Sequence, residues 1–291
     1  MPSMNYRALC LGFLCLPLVG WGCREEKSNA TREIESREVV AARVDLDLLR
    51  GQFQNLEAPD SSRLRAGRAL LDADGQFLAE HYGQRDNARI VRSIIEERVE
   101  RREKSVLPLL VDLFAQVEGE ERIDFEVYLL RFGRESEGQL VELLRARDAG
   151  LVMRTLDALG KMQAVGAVDS IAVCLQRDNA WIRMGAAHAL GDIGDRRAIG
   201  PLVATLQDTA YAVVNAALVG LGRLGAVEVY DEIAALLHSD NPHVRKHAAI
   251  ALGELGDRRA LAAVRRLAEE DVDAGVRFMA GKALEKLEEK P

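Results

Sequence analysis

Three of the chain's five histidines fall within the short segment 238–247, which makes them the first candidates for metal binding. His243 and His247 are four residues apart, so in a helix they share one face, and His238 lies shortly before them. A helical zinc site of the His-Glu-x-x-His type needs a glutamate directly after the first histidine, and this chain has Val244 there. We therefore expect neither a metal nor any other cofactor.

Large aromatic side chains are scarce, at 5 % of the residues, so their positions are informative. Trp181 and Tyr211 stand at the start of predicted helices, where a ring on a solvent-facing edge is typical of a protein-binding surface. Covering a neighbouring turn explains the same placement, and the sequence leaves both interpretations open. Tyr230 and His243 complete the set of candidate partner-binding residues.

A short apolar segment near the start of the chain ends at a cysteine. Residues 8–21 are almost entirely apolar and follow Arg7, which is typical of a signal peptide and too short for a membrane-spanning helix. The adjoining Gly22-Cys23 resembles a bacterial lipobox, which implies cleavage before Cys23, lipidation of its thiol and addition of an acyl chain such as palmitate. An ordinary cleaved signal and an uncleaved anchor are the alternatives. The resemblance implies a lipoprotein of the bacterial cell envelope, anchored to a membrane and facing the periplasm or the exterior.

Composition excludes several classes of protein. The chain has 291 residues, 48 % of them apolar and 29 % charged, which is typical of a folded chain and not of a disordered one. Four cysteines are too few for a disulfide scaffold. A net charge of −7 disfavours a nucleic-acid-binding protein, because neutralising phosphates requires a basic face.

A repeat of 31 residues runs through the second half of the chain. Its clearest markers are small-Leu-Gly triplets, which begin at Ala158, Ala189, Gly220 and Ala251. A second marker recurs in step with the first, at Leu144, Leu175, Leu206 and Leu237. Apolar residues within each unit follow a helical period, so each unit holds two helices of about a dozen residues and two turns.

The turns between these helices carry residues with a structural role. Gly194 and Gly256 suit the left-handed conformation that ends a helix, and Asp195 and Asp257 follow them as caps of the next helix. The unit 240–261 as a whole resembles the HEAT-like repeat, in the short form found in phycobilin lyases. The resemblance implies an all-α fold, a right-handed α-α superhelix (α-solenoid) of antiparallel helix pairs.

Charged residues also recur with the repeat. Asp178 precedes Arg183 by five residues, and Asp240 precedes Arg245 by the same distance. Arg277 takes the arginine place in the last unit. This ladder either binds a partner or is structural, with the aspartates capping helices and the arginines stitching adjacent repeats together, and the family resemblance favours the structural role. Val214 takes the arginine place in the intervening unit, which predicts one weaker joint.

No arrangement typical of catalysis is evident. Cys174 aligns with leucine and threonine in the neighbouring units, which indicates a packing position and not a nucleophile. No Ser-His-Asp order, phosphate loop or close pair of carboxylates stands out.

We predict four regions: a signal peptide (1–22), a lipidated N-terminus and tether (23–60), divergent helical repeats (61–139) and HEAT-like repeats with a C-terminal cap (140–291). Within the tether, the segment 38–60 is compatible with a strand or a helix.

The expected function is that of a non-enzymatic protein-binding scaffold or assembly factor, tethered to a membrane through Cys23 and without a small-molecule substrate. The alternative, a bilin-lyase-like enzyme or cofactor chaperone, would use the concave face of the solenoid. It requires a reactive or hydrogen-bonding cluster there, and the export signal disfavours it, because bilin attachment takes place in the cytoplasm.

Overall fold

The computed structural model of the chain describes residues 46–119 and 121–289, and every regular element within these ranges is a helix. The described residues from Leu48 onward belong to one compact unit. The expected all-α solenoid of helix pairs is confirmed. In chain order, the helices of the described part are α1 (46–54), α2 (Asp60–His81), α3 (Arg85–Glu100), α4 (Leu107–Gln116), α5 (Glu121–Phe132), α6 (Arg134–Leu143), α7 (Ala149–Lys161), α8 (Val168–Cys174), α9 (Ala180–Ile193), α10 (Ile199–Thr205), α11 (Tyr211–Arg223), α12 (Tyr230–Ala235), α13 (Pro242–Leu255), α14 (Leu261–Glu270) and α15 (Ala274–Glu289).

The first helices pack around a buried arginine. Arg63 of α2 is almost fully buried, and its guanidinium donates to the Phe53 carbonyl of α1 at 2.9 Å and to the Asn87 amide oxygen of α3 at 2.6 Å. Phe53 itself is buried and lies edge-on to the ring of Phe77. Helix α1 therefore docks on α2, and this part of the segment whose structure the sequence left open is helical.

The repeats form two layers of helices. The long helices α7, α9, α11, α13 and α15 pack directly on one another in sequence, and each of the shorter helices α8, α10, α12 and α14 packs on the long helix that follows it. Successive short helices barely touch each other. The long-helix layer is therefore the more tightly spaced of the two, and a stack with unequal spacing curves toward its tighter layer.

Small residues set the close spacing of the long helices. A Cβ atom on Gly191 of α9 would lie 2.6 Å from the Gly220 Cα of α11, and one on Gly253 of α13 would lie 2.9 Å from the Ala283 Cα of α15. Gly160 of α7 is similarly close to Ala189 of α9. The small-Leu-Gly triplets that mark the repeat are therefore the contact points between neighbouring long helices.

The turns are built largely as the sequence predicts. Gly194 and Gly256 end α9 and α13 with left-handed φ angles of 75° and 70°. The carboxylates of Asp195 and Asp257 accept the backbone N–H of the residue two places on, and so cap the short turns that lead into α10 and α14.

The long helices α9 and α13 are capped by asparagines and not by the aspartates of the predicted ladder. The side chain of Asn179 accepts the Trp181 N–H, and that of Asn241 accepts the His243 N–H, each at 2.9 Å. Asp178 comes one residue too early to reach these N–H groups, as does Asp240. An N-cap side chain bonds to N–H groups in the first turn of its helix, so the residue directly before the helix takes this role.

The arginines of the ladder pair with aspartates of the next repeat. Arg183 binds both carboxylate oxygens of Asp208, at 2.6 and 2.9 Å, and Arg245 binds both oxygens of Asp271 in the same way, at 2.8 and 2.9 Å. In each pair the arginine lowers the pKa of the aspartate. Asp178 and Asp240 contribute only their backbone carbonyls to these arginines. Arg277 likewise donates to backbone carbonyls, those of Asp271 and Val272.

The joint between α11 and α13 lacks both members of this pair. Val214 stands in the arginine place and is buried, and Ser239 stands in the aspartate place. The Ser239 hydroxyl accepts the Asn241 N–H, the same local role that Asp208 has toward Ala210. The Arg–Asp ion pair is therefore absent from this joint, and the pairs recur at every second unit.

Replacing Gly191 with alanine should destabilise the fold by about 1–3 kcal/mol, because the added methyl overlaps backbone atoms that cannot move without separating two helices. Gly200→Ala is the matched control: it lies in helix α10 with open space around its Cα, and should be neutral or stabilising by up to about 1 kcal/mol. Urea denaturation followed by circular dichroism measures both. Equal effects of the two substitutions would contradict the assigned contact.

The double substitution Val214→Arg with Ser239→Asp should add the missing ion pair. Either change alone leaves a partly buried charge unpaired, so the double variant should exceed the sum of the single effects by about 1 kcal/mol or more. A double-mutant cycle of unfolding free energies measures this coupling. Strictly additive effects would show that the α11–α13 joint differs from its neighbours in more than these two side chains.

Candidate ligand-binding face

One surface of the repeats differs sharply in charge from the rest of the chain. The segments 180–191, 211–223, 242–253 and 274–284, which make up most of α9, α11, α13 and α15, contain no aspartate or glutamate. The whole chain has 46 acidic residues. We call the solvent-facing side chains of these four segments the inner face, since they belong to the tightly spaced layer of long helices.

Exposed rings line one edge of the inner face. Trp181 of α9 is 68 % exposed, Tyr211 of α11 is 53 % exposed, and Phe278 of α15 is 65 % exposed. The rings of Tyr211 and His243 stack across the α11–α13 joint, with centroids 5.7 Å apart and planes inclined by 20°. The structure therefore places three of the four candidate partner-binding residues on one surface, near the start of neighbouring long helices.

Phe278 is the member of this row that sequence reasoning missed. It directly follows Arg277, so the ladder register aligns it with Met184, Asn215 and Lys246 of the earlier units. The available signal was a phenylalanine at a position where the other units have Met184, Asn215 and Lys246. The alignment is easily missed because the last unit is one residue longer than the others.

Tyr230, the fourth candidate, lies elsewhere. It begins the short helix α12 in the other layer, and the guanidinium of Arg259 covers its ring at 4.1 Å from the centroid. Arg259 also pairs with Asp257. Tyr230 therefore belongs to a contact between adjacent repeats.

Two histidines on the inner face are desolvated although water reaches them. His188 of α9 is exposed by surface area and His247 of α13 is half-buried, yet desolvation is the main cause that lowers the pKa of each. Both imidazoles are therefore weaker bases than an ordinary histidine.

The close spacing of the long helices makes the inner face the concave side of the stack. His188 and His247 both belong to this face, and His188 contributes to the lowered pKa of His247 although α11 lies between their helices.

Other groups with reactive potential are accounted for by packing. Cys174 is buried in α8, and burial raises the pKa of its thiol. Among residues 46–119 and 121–289, no cluster of three His, Cys, Asp or Glu side chains is arranged to hold a metal ion. A concavity of about 940 Å³ beside α2 and α3 is lined by Arg89 and Arg92, which pair with Asp60 and Asp124.

Cys23, with the predicted signal peptide and the part of the predicted tether up to residue 45, lies outside the described residues. The rest of the predicted tether, residues 46–60, holds α1 and the first residue of α2. Within the described ranges, no helix combines the length and the apolar character needed to cross a membrane.

The repeat region matches a known family. Residues 138–221 and 201–285 match HEAT repeats. The chain belongs to the HEAT-repeat family. The matched region contains the long helices α7 to α15, and therefore the whole inner face.

Two similar proteins of this kind come from cyanobacteria. Over 159 residues the chain is 27 % identical to the "uncharacterized phycocyanin operon protein Z" of Pseudanabaena tenuis, a match that covers 52 % of this chain and 79 % of that protein. Over 118 residues it is 31 % identical to the phycocyanobilin lyase subunit alpha of a Picosynechococcus species, covering 38 % of this chain. The chain spans 44 % of the length of that lyase subunit.

Solved structures share the helical-repeat architecture. The complex of CpcE and CpcF of phycocyanin lyase from a Nostoc species is matched over 52 % of this chain and 64 % of that one, with 23 % identity and a TM-score of 0.47. A designed armadillo repeat protein is matched over 62 % of this chain and 99 % of that one, with 18 % identity and a TM-score of 0.40. Similarity at this level concerns the architecture alone.

The relatives overturn the functional expectation drawn from the sequence. One of them is named as a subunit of a phycocyanobilin lyase and the other after a phycocyanin operon. The interpretation as a non-enzymatic scaffold, and with it the expectation that the chain is not an enzyme, is therefore wrong. The lack of a catalytic motif was a poor guide to function, because a binding surface spread over several repeats leaves no compact motif in the sequence.

Proposed function

We propose that this chain is a bilin-lyase-like protein whose inner face binds a linear tetrapyrrole. The observation that carries the proposal is the ring-lined concave surface across four repeats, whose segments hold no aspartate or glutamate until Asp192, Glu254 and Glu285 follow three of them. A linear tetrapyrrole is a flat conjugated molecule with carboxylate side chains. Exposed rings offer stacking partners for such a molecule, and the lack of aspartate and glutamate avoids repulsion of its carboxylates.

The chemistry of attachment would require a protein partner. The four segments that form the inner face contain no cysteine, so they offer no thiol to form a thioether with the ligand. The nucleophile would then come from the acceptor protein. In this proposal the solenoid holds and orients the bilin, and the acceptor docks beside it.

We also propose that the chain is exported and lipid-anchored at Cys23, with the repeats facing the periplasm or the exterior. The sequence around Gly22-Cys23 supports this location. An exported bilin-lyase-like protein would bind its ligand at the membrane surface and outside the cytoplasm, so attachment there would require an acceptor protein that is exported as well.

Tetrapyrrole binding can be tested with Trp181 as the reporter. The chain has two tryptophans, so Trp21→Phe leaves Trp181 as the only source of tryptophan fluorescence. Titration of this variant with biliverdin should quench the emission saturably, with one bilin per chain and a matching change in bilin absorbance. No saturable change in either signal would refute the proposed function.

A pair of charge variants locates the site. Trp181→Glu places a carboxylate on the inner face and removes a ring, and should weaken biliverdin binding about tenfold or more. Val173→Glu is the matched control, because Val173 has the same 68 % exposure but lies on the short helix α8. Bilin absorbance reports the affinity of both variants. Equal weakening by the two would place the ligand elsewhere.

Intact mass of the protein extracted from bacterial membranes tests the anchor. We expect a product that begins at Cys23 and carries the mass of a diacylglycerol and a further acyl chain, and a Cys23→Ser variant that loses both the lipid and the membrane association. An unlipidated chain cleaved at another position would contradict the proposed anchor and leave the ligand proposal intact.

A further inference from the structure

The hydrogen bond at His247 fixes which of its ring nitrogens faces the concavity. The Nδ1 atom lies 2.7 Å from the His243 carbonyl oxygen. A carbonyl only accepts, so Nδ1 carries the proton and donates it. In a neutral imidazole the proton on Nδ1 leaves Nε2 with a lone pair, and the described residues place no hydrogen-bond partner on Nε2.

The surroundings of His247 favour its neutral form. Desolvation is the main cause that lowers its pKa, and the charges of Lys246, His243 and His188 lower it further, while the hydrogen bond to the His243 carbonyl raises it. The long helices packed against α13 are α11 and α15, and their inner-face segments hold no carboxylate that would favour an imidazolium. The short helix α12 also packs against α13, and its carboxylates, Asp231 and Glu232, are exposed in its first turn. Nε2 is therefore an acceptor in a surface that offers a ligand many donors and few acceptors.

We propose that His247 Nε2 accepts a hydrogen bond from an N–H group of the ligand. This inference rests on the proposed function and deepens it, because the pyrrole and lactam rings of an unmetallated linear tetrapyrrole carry N–H donors along one edge. The aromatic row would hold the conjugated plane, and His247 would recognise that edge. Conjugated ligands without N–H groups would then be bound less tightly.

The tautomer itself can be checked without any ligand. Nitrogen-15 NMR of the imidazole at pH 7.5 should show a protonated Nδ1 and an unprotonated Nε2 for His247. The opposite tautomer, or a charged ring, would overturn the inference whether or not the protein binds a bilin.

Variants at His247 test the contact with the ligand. The probe is biliverdin dimethyl ester, whose esters remove the attraction between a carboxylate and a charged histidine. His247→Phe deletes the acceptor and should weaken binding about tenfold, since a buried ligand donor is left unpaired. His247→Gln places an amide oxygen near the former Nε2 and should bind within about twofold of the parent protein. His238→Phe, at an exposed turn outside the inner face, should leave the affinity unchanged.

The pH dependence gives a second readout with a defined sign. Because the pKa of His247 is lowered from its usual value, the acceptor is present at pH 7.5 and is lost only as the pH falls through that lowered pKa. Affinity for the ester should therefore fall with acidification in the parent protein and stay level in His247→Gln. Parent-like binding by His247→Phe, or the same acid loss in His247→Gln, would overturn the inference while leaving bilin binding established.

Discussion

The close approach of neighbouring long helices is the constraint on which the rest of the structure depends. Gly191 against Gly220, and Gly253 against Ala283, leave no room for a single added methyl. This spacing is smaller than large side chains permit, so the long-helix layer is tight while successive short helices barely touch. Curvature follows from the difference between the layers. The concave surface that carries His188 and His247 is thus a consequence of small residues buried beneath it.

Ion pairs add a second set of contacts between the repeats. The bidentate pairs Arg183–Asp208 and Arg245–Asp271 each join two adjacent repeats. They occur at every second joint, and Val214 with Ser239 occupies the joint between them. Packing at the small residues continues through that joint, so the solenoid does not depend on the ion pairs for its continuity. The pairs fix the register of particular neighbours, because a bidentate arginine accepts only one orientation of its carboxylate.

Local features of the fold could be read from the sequence, and contacts between repeats could not. The 31-residue period, the helix ends at Gly194 and Gly256 and the aspartate caps after them depend on neighbours a few residues away. The partner of Arg183 is 25 residues distant, and Asp178 lies closer in sequence but cannot present its carboxylate to that side chain. The curvature of the inner face builds up over successive repeats, and no spacing in the sequence expresses it.

The lack of carboxylates on the inner face cannot be explained by the fold. Packing accounts for the small and branched residues, and the ion-pair ladder accounts for its arginines. The solvent-facing residues that occupy equivalent positions in successive long helices, here called a column, are required neither by packing nor by the ladder. Asp157 occupies that column in α7, where it pairs with Lys161, so the fold accepts a carboxylate there. The next four long helices place His188, Val219, Ile250 and Lys282 in the same column. The chain has a net charge of −7, yet none of these four positions, each open to any polar residue, holds an acidic one. This indicates a requirement that comes from outside the fold. A ligand that carries negative charge supplies such a requirement.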